Sequence, residues 1–238
     1  MTVRIKAAPK GENIREAGKQ ARRQRIIMAA ESLIHATGST DFSMRQLAQQ
    51  AGLSTYTTYN LIGSKATVLY ILLNQCLDRI DVSRVLAAAT GDALEYVLHA
   101  GDAGVDEFVA SPDFFRALMR YVFGVPDPVH RPVFMDRAFR YWFAATAPLE
   151  ECGHLGPDLT RLDLARSLQI HFTGTMEFWV HGELDTDQFR AQVRHGMALI
   201  LLALPVPQWR ERLLDSIEAT RTIVEALVSR TVQSPALA

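Results

Sequence analysis

The chain has 238 residues, of which 48% are hydrophobic, and its net charge at pH 7 is −1. This composition excludes a disordered chain and allows one large domain or two smaller ones. The longest apolar run, from Met197 to Leu204, is too short to span a membrane, and no secretory signal pattern is visible. Two cysteines do not make a disulfide framework in a chain of this length, so we expect a cytoplasmic protein without membrane partners.

The N-terminal segment carries a charge that the rest of the chain balances. Residues 1–25 contain eight basic and two acidic residues, which gives them a net charge of +6. Pro9, Gly11 and Gly18 interrupt this segment, so the sequence predicts a flexible basic arm over residues 1–20. Such an arm indicates an anionic partner, although a solvated tail explains the charge equally well.

Two helices are predicted after the arm. The first runs from Ala21 to Gly38, and its apolar face is formed by Ile26, Ala30, Leu33, Ile34 and Thr37. The second covers residues 44–51, and it begins with Ser43 and Gln46 in the spacing of a capping box.

The next segment, STYTTYNLIGSK over residues 54–65, combines conflicting signals. Its Thr and Tyr residues favour strands, whereas Ser54 is a good helix N-cap. Gly52 permits a sharp turn, Leu53 fits between two crossing helices, and the small Ala48 lets those helices approach closely. The segment is therefore predicted to be the second helix of a helix-turn-helix motif.

The remaining chain contains helical segments separated by Gly and Pro, and no alternating strand pattern is apparent. The predicted fold is all-α. It comprises an N-terminal three-helix domain with the helix-turn-helix at residues 21–66, a larger helical domain at 67–230, and a tail at 231–238.

This order of motifs resembles the TetR family of bacterial transcriptional regulators. The resemblance is carried by the helix ending at Gly38 and by residues 42–48, 51–54 and 59–65, followed by an apolar helix from Val68. The chain departs from the family pattern at Thr58 and Ile62, where Leu and Phe are common, and at Leu61, where His or an aromatic residue is frequent.

The resemblance implies that the chain binds a double-stranded DNA operator, with the helix over residues 55–62 in the major groove. It implies phosphate contacts from Tyr59 and Lys65, and we expect base contacts from Thr55, Tyr56 and Asn60. The complete set of expected DNA-binding residues is Ser43, Arg45, Thr55, Tyr56, Thr57, Tyr59, Asn60 and Lys65.

The larger domain then resembles the family's ligand-binding and dimerisation domain. It is rich in aromatic and Met residues with a few polar groups between them, a composition typical of sites for hydrophobic small molecules. The expected lining residues are Phe115, Met119, Phe139, Trp142, His171, Thr175 and Trp179. His171 fits an ordinary hydrogen-bonded core position equally well.

A homodimer is implied through two helices at about residues 159–181 and 186–204. On the first helix the expected contact face contains Ala165, Leu168, Phe172 and Thr175. On the second helix it contains Val193, Met197, Ile200 and Leu201.

These features predict a repressor that a hydrophobic effector releases from a pseudo-palindromic operator. The sequence contains none of the zinc-binding, nucleophilic-serine or phosphate-loop motifs that would indicate an enzyme, and no cofactor or metal is expected. The alternative is a DNA-binding regulator that a protein partner controls, or an activator.

Overall fold

The computed structural model describes residues 10–80 and 92–232, with side chains described over 15–80 and 92–226. All regular structure in these ranges is helical, which confirms the predicted all-α fold. The helices are α1 (Lys10–Thr37), α2 (Met44–Gln50), α3 (Thr55–Ile62), α4 (Lys65–Arg79), α5 (Ala93–Val109), α6 (Pro112–Gly124), α7 (His130–Ala145), α8 (Ala147–Glu151), α9 (Arg161–His181), α10 (Thr186–Leu201) and α11 (Pro207–Val232).

The chain divides into two compact units, Met1–Leu73 and Asn74–Ala238. The division falls inside α4, later in the chain than the predicted limit at residue 66. In the described parts of both units, no helix combines the length and the apolar character that crossing a membrane requires.

The predicted flexible arm is wrong over residues 10–20, because α1 already begins at Lys10. Residues 1–9 of that arm lie outside the described residues. Most residues between 12 and 25 favour helices, and the single Gly18 costs only about 1 kcal/mol relative to alanine. Side chains also support the helix locally, since Arg22 Nε donates to the Gly18 carbonyl at 3.0 Å.

The first unit is built around the buried faces of α1 and α2. Ile26, Ile34 and Leu47 are fully buried there. The Gln46 backbone N–H donates to Ser43 Oγ at 3.2 Å, and the Gln46 side-chain carbonyl accepts from the Ser43 backbone N–H at 2.8 Å. This pair is the capping box that the sequence predicted at the start of α2.

In the second unit, α9 packs against α6, α7 and α10, and α10 packs against α5 and α11. The C-terminal helix α11 is held by its inward residues, including Trp209, Leu213 and Ile217, which are buried. Trp209 Nε1 donates to Asp92 Oδ2 at 2.7 Å, so the start of α11 is tied to the start of α5.

The structure contradicts the predicted dimer faces on α9 and α10. Most of the residues expected at a partner are instead buried within the single chain, namely Ala165, Leu168, Phe172, Thr175, Val193, Met197 and Leu201, while Ile200 is half-buried. The physical reason is that the most apolar stripe of each helix faces the neighbouring helices of the same chain, and an apolar stripe looks the same in sequence whichever partner covers it.

Candidate nucleic-acid interface and ligand cavity

The turn between α2 and α3 is closed by local hydrogen bonds. Gly52 adopts a positive φ of 63°, a conformation that glycine tolerates best, and the Leu53 N–H donates to the Ala48 carbonyl at 2.9 Å. Ser54 then caps α3, because its Oγ accepts from the Thr57 N–H at 3.1 Å. These contacts hold the strand-favouring sequence in a helix.

Two inward residues anchor α3, and both are departures from the family pattern. Thr58 is fully buried, and its Oγ1 donates to the Ser54 carbonyl at 3.0 Å, so its hydroxyl is satisfied without an outside partner. Ile62 is also buried. The smaller, polar Thr58 is therefore accommodated by a hydrogen bond within its own helix.

The outward face of α3 is polar and contains no acidic residue. Tyr56 is 77% exposed and Tyr59 is 50% exposed, and Asn60 lies exposed beside them. Thr55 and Thr57 are half-buried at the start of the same helix. Hydroxyl and amide groups on such a face can bond to DNA phosphates or to base edges in the major groove.

Some of the expected DNA-binding side chains already have contacts within the protein. Ser43 Oγ is part of the capping box, and Thr57 Oγ1 shares a hydrogen bond of 2.8 Å with Ser54 Oγ. Lys65 Nζ lies 5.3 Å from the centre of the Phe42 ring. Arg45 is exposed at the start of α2.

The cationic charge of the first unit is concentrated on α1. Arg15, Lys19, Arg22 and Arg23 follow the spacing i, i+4, i+7 and i+8, which places them along one side of the helix over about 12 Å. None of these side chains is buried. Residues 26–65 are in contrast neutral overall, with two basic and two acidic residues.

The second unit contains a cavity with a volume of about 50 Å³. It lies between α5, α6, α7, α9 and the end of α4. Its wall is mainly apolar and is formed by Leu77, Ile80, Gly104, Phe108, Met119, Phe134, Met135, Ala138, Tyr141, Trp142, Gln169, Phe172, Thr173 and Met176. A mainly apolar wall with a few polar groups is typical of sites that bind small organic molecules.

Comparison with known proteins finds the same architecture. The TetR transcriptional regulator from Rhodococcus sp. RHA1 has a TM-score of 0.61 at 18% identity, over 78% of this chain and 98% of its own. Thermus thermophilus FadR, a TetR-family repressor solved in complex with lauroyl-CoA, has a TM-score of 0.64 at 23% identity, over 75% and 93%. The chain has the TetR-family fold.

A third solved structure with the TetR-family fold is SmeT, the repressor of the Stenotrophomonas maltophilia multidrug efflux pump SmeDEF. It has a TM-score of 0.58 at 18% identity, over 78% of this chain and 91% of its own. No family model and no curated sequence matches the chain. These three structural neighbours are transcriptional regulators.

Within this TetR-family fold, the cavity contains only two of the seven predicted ligand-binding residues, Met119 and Trp142. Phe115 is instead packed edge-on against Phe108, with ring centres 5.1 Å apart. Phe139 lies half-buried outside the cavity wall, where its ring centre is 4.4 Å from the Arg166 guanidinium.

The other three predicted ligand residues pack between helices. His171 Nε2 lies 3.2 Å and 3.1 Å from the carbonyl oxygens of Gln192 and Val193, and burial lowers the pKa of His171, so the neutral ring donates from Nε2. Thr175 Oγ1 donates to the His171 carbonyl at 2.9 Å. Trp179 stacks on Phe189 with ring centres 5.1 Å apart. His171 thus takes the core position that its sequence context also allowed.

The sequence did not identify most of the cavity wall. Leu77 and Ile80 come from the end of α4, and Gln169 directly follows the buried Leu168 on α9. Gly104 also lines the cavity, and a Cβ at this helical position would lie 3.1 Å from Phe172 Cζ. Among the described residues, no group of three or more His, Cys, Asp or Glu side chains could hold a metal ion.

Proposed function

We propose that the protein is a cytoplasmic TetR-family transcriptional repressor that binds operator DNA through α3 and leaves it when a hydrophobic effector fills the cavity. The observation that carries this proposal is the exposed, acid-free polar face of α3 behind a capped helix-turn-helix turn. An exposed tyrosine pair on a short helix has little structural use but suits a nucleic-acid partner.

The residues of α3 divide by their expected partner. Thr55, Tyr56 and Asn60 are proposed to read base edges, because the N-terminal part and outward face of a recognition helix enter the major groove. Tyr59 and Lys65 are proposed to bind phosphates. Lys65 also stands at the first position of α4, where backbone N–H groups favour anions.

Further phosphate contacts come from the start of α2 and from α1. Arg45 is proposed to bind the backbone beside Ser43, whose hydroxyl mainly caps α2. The cationic side of α1, which includes Arg15, Lys19 and Arg22, would supply the charge that residues 26–65 lack. Phosphate neutralisation provides most of the non-specific part of DNA binding.

The proposed oligomer is a homodimer through α9 and α10, but on a different face from the one the sequence suggested. Ile170 is 63% exposed, Phe178 is 53% exposed and Leu199 is 51% exposed. Leu162 is 58% exposed on α9 as well, and we call these four residues the α9–α10 surface. Apolar surface of this kind favours a second copy, and a two-fold dimer would place its recognition helices about 34–36 Å apart on a pseudo-palindrome.

Control by a small molecule is favoured over the effector-free alternative because the chain contains a cavity. FadR is described with lauroyl-CoA bound and SmeT as a repressor of a multidrug efflux pump. An effector that binds more tightly to the DNA-incompetent conformer would shift the population toward it and release the operator.

Selection from a random double-stranded DNA pool tests this function. The full-length protein should enrich a pseudo-palindromic sequence with half-sites separated by about one helical turn. Fluorescence anisotropy on the enriched DNA then measures its affinity relative to a scrambled duplex. Enrichment of no sequence, or equal affinity for the two duplexes, would contradict a sequence-specific regulator.

A further inference from the structure

Two polar residues in the wall of the second-unit cavity, Tyr141 and Gln169, are already engaged with the protein. Tyr141 Oη donates to the Ala100 carbonyl at 2.5 Å. The Gln169 amide nitrogen donates to the Met135 carbonyl at 2.9 Å, and its carbonyl oxygen accepts from Arg166 Nη1 at 2.8 Å. These two residues therefore have limited capacity to bind a ligand.

No charged side chain is among the described lining residues. Two cations that are adjacent in sequence to lining residues are held by other groups. Arg137 pairs with Asp78 and donates to Asn74 Oδ1 at 2.7 Å, while Arg79 lies 2.6 Å from Glu107. A charged ligand in the cavity would therefore have no oppositely charged side chain among the described lining residues.

Arg166 is a cation bound to the lining residue Gln169. It is exposed, and its guanidinium lies against the Phe139 ring, 4.4 Å from the centre, while bonding to Gln169. Its charge thus remains in solvent, outside the wall. The surroundings of Tyr141 also disfavour charge, because burial raises the pKa of this residue well above its ordinary value.

We propose that this cavity binds a neutral, largely apolar molecule and rejects molecules that must bury an ionised carboxylate, sulfonate or ammonium. The inference rests on the proposed function of the cavity as an effector site. Burying an unpaired ionised group is strongly unfavourable, whereas a neutral hydroxyl or carbonyl can use the Thr173 hydroxyl or the remaining lone pair of Tyr141. The ligand class is therefore an uncharged hydrocarbon-like compound with at most a few neutral polar groups.

Two fluorescent probes with the same ring system test the charge preference. N-phenylnaphthylamine is neutral near pH 7, and anilinonaphthalene sulfonate adds one permanent negative charge to it. Titration of the full-length protein should show the neutral probe binding at least about tenfold more tightly. Equal or tighter binding of the sulfonate at the cavity overturns the inference, and so does the absence of binding by either probe.

Variants locate the binding. Ala138→Phe fills the cavity and should abolish neutral-probe binding, whereas Val133→Phe adds the same ring to an exposed position of the same helix and should leave it unchanged. If Ala138→Phe does not fold, Thr173→Lys provides the test. A cation on the wall should change the ratio of the two probe affinities by about tenfold in favour of the sulfonate. An unchanged ratio in folded Thr173→Lys overturns the inference.

A parallel measurement of operator release separates this inference from the proposed function. Selective binding of the neutral probe without any change in DNA affinity would support the ligand class and contradict effector-controlled repression. If an ionised amphiphile releases DNA from the wild type but not from Ala138→Phe, effector control is supported and the ligand class is overturned.

Discussion

At the scale of single residues, His171 shows how burial decides the role of a polar side chain. Its Nε2 points at two α10 carbonyls, and no Cβ could be added at the facing Gly196, where it would lie 2.1 Å from the His171 ring. Burial lowers the pKa of His171 from its ordinary value of 6.5. The ring is thus a neutral packing element between α9 and α10.

This protonation state predicts a pH dependence of stability. The unfolded chain binds a proton at His171 below about pH 6.5 while the folded chain resists it, so the stability is complete above that pH and falls as the solution becomes more acidic. His171→Gln keeps a donor but does not titrate. Thermal melts should therefore show a Tm gap between wild type and variant at pH 7.5 that narrows toward pH 5.5. A gap that widens would contradict a neutral buried histidine.

At the scale of secondary-structure elements, α1 is longer than its sequence suggested and carries most of the positive charge near α3. A helix fixes the spacing of Arg15, Lys19 and Arg22 in a way that a flexible arm does not. The same local rules predicted α2 and α3 correctly, because the Ser43 and Ser54 caps act over only a few residues.

The cationic side of α1 predicts the salt dependence of DNA binding. Combined replacement of Arg15, Lys19 and Arg22 by Ala should weaken binding to all sequences and reduce the slope of log K against log salt by up to about one per residue. The control replaces Arg140, Arg210 and Arg221, which gives the same net charge and leaves α1 intact. Identical slopes for the two triple variants would show that α1 makes no phosphate contacts.

At the scale of the whole molecule, sequence reasoning identified the fold class but could not assign each apolar face to its partner. The stripes of α9 and α10 were expected at a dimer interface and instead form the chain's own core. The cavity was equally hidden, since Leu77, Gln169 and Gly104 come together only through helix packing. Periodicity indicates which residues avoid water, but tertiary packing decides what covers them.

The exposed α9–α10 surface predicts an effect on oligomeric state. Ile170→Glu combined with Phe178→Glu places two charges on this surface, so the mass measured by light scattering should fall to that of a single 26.5 kDa chain. Val133→Glu, at a similarly exposed apolar position on α7, serves as the control and should remain dimeric. A double variant with unchanged mass would place the interface elsewhere.

The distribution of charge also bears on DNA binding by the whole chain. The first 25 residues carry +6 and the remaining residues carry −7, so the N-terminal end should meet an anionic partner first. Charge brings the protein to DNA, whereas sequence discrimination requires the uncharged outward face of α3.

The most direct test of the account is the affinity of Tyr56→Ala and Asn60→Ala for the selected operator, measured by fluorescence anisotropy at fixed salt. Both side chains are exposed, so the variants should keep the wild-type Tm. Each should bind the operator about tenfold or more weakly while keeping its affinity for scrambled DNA. Wild-type operator affinity in both folded variants would contradict DNA recognition through α3.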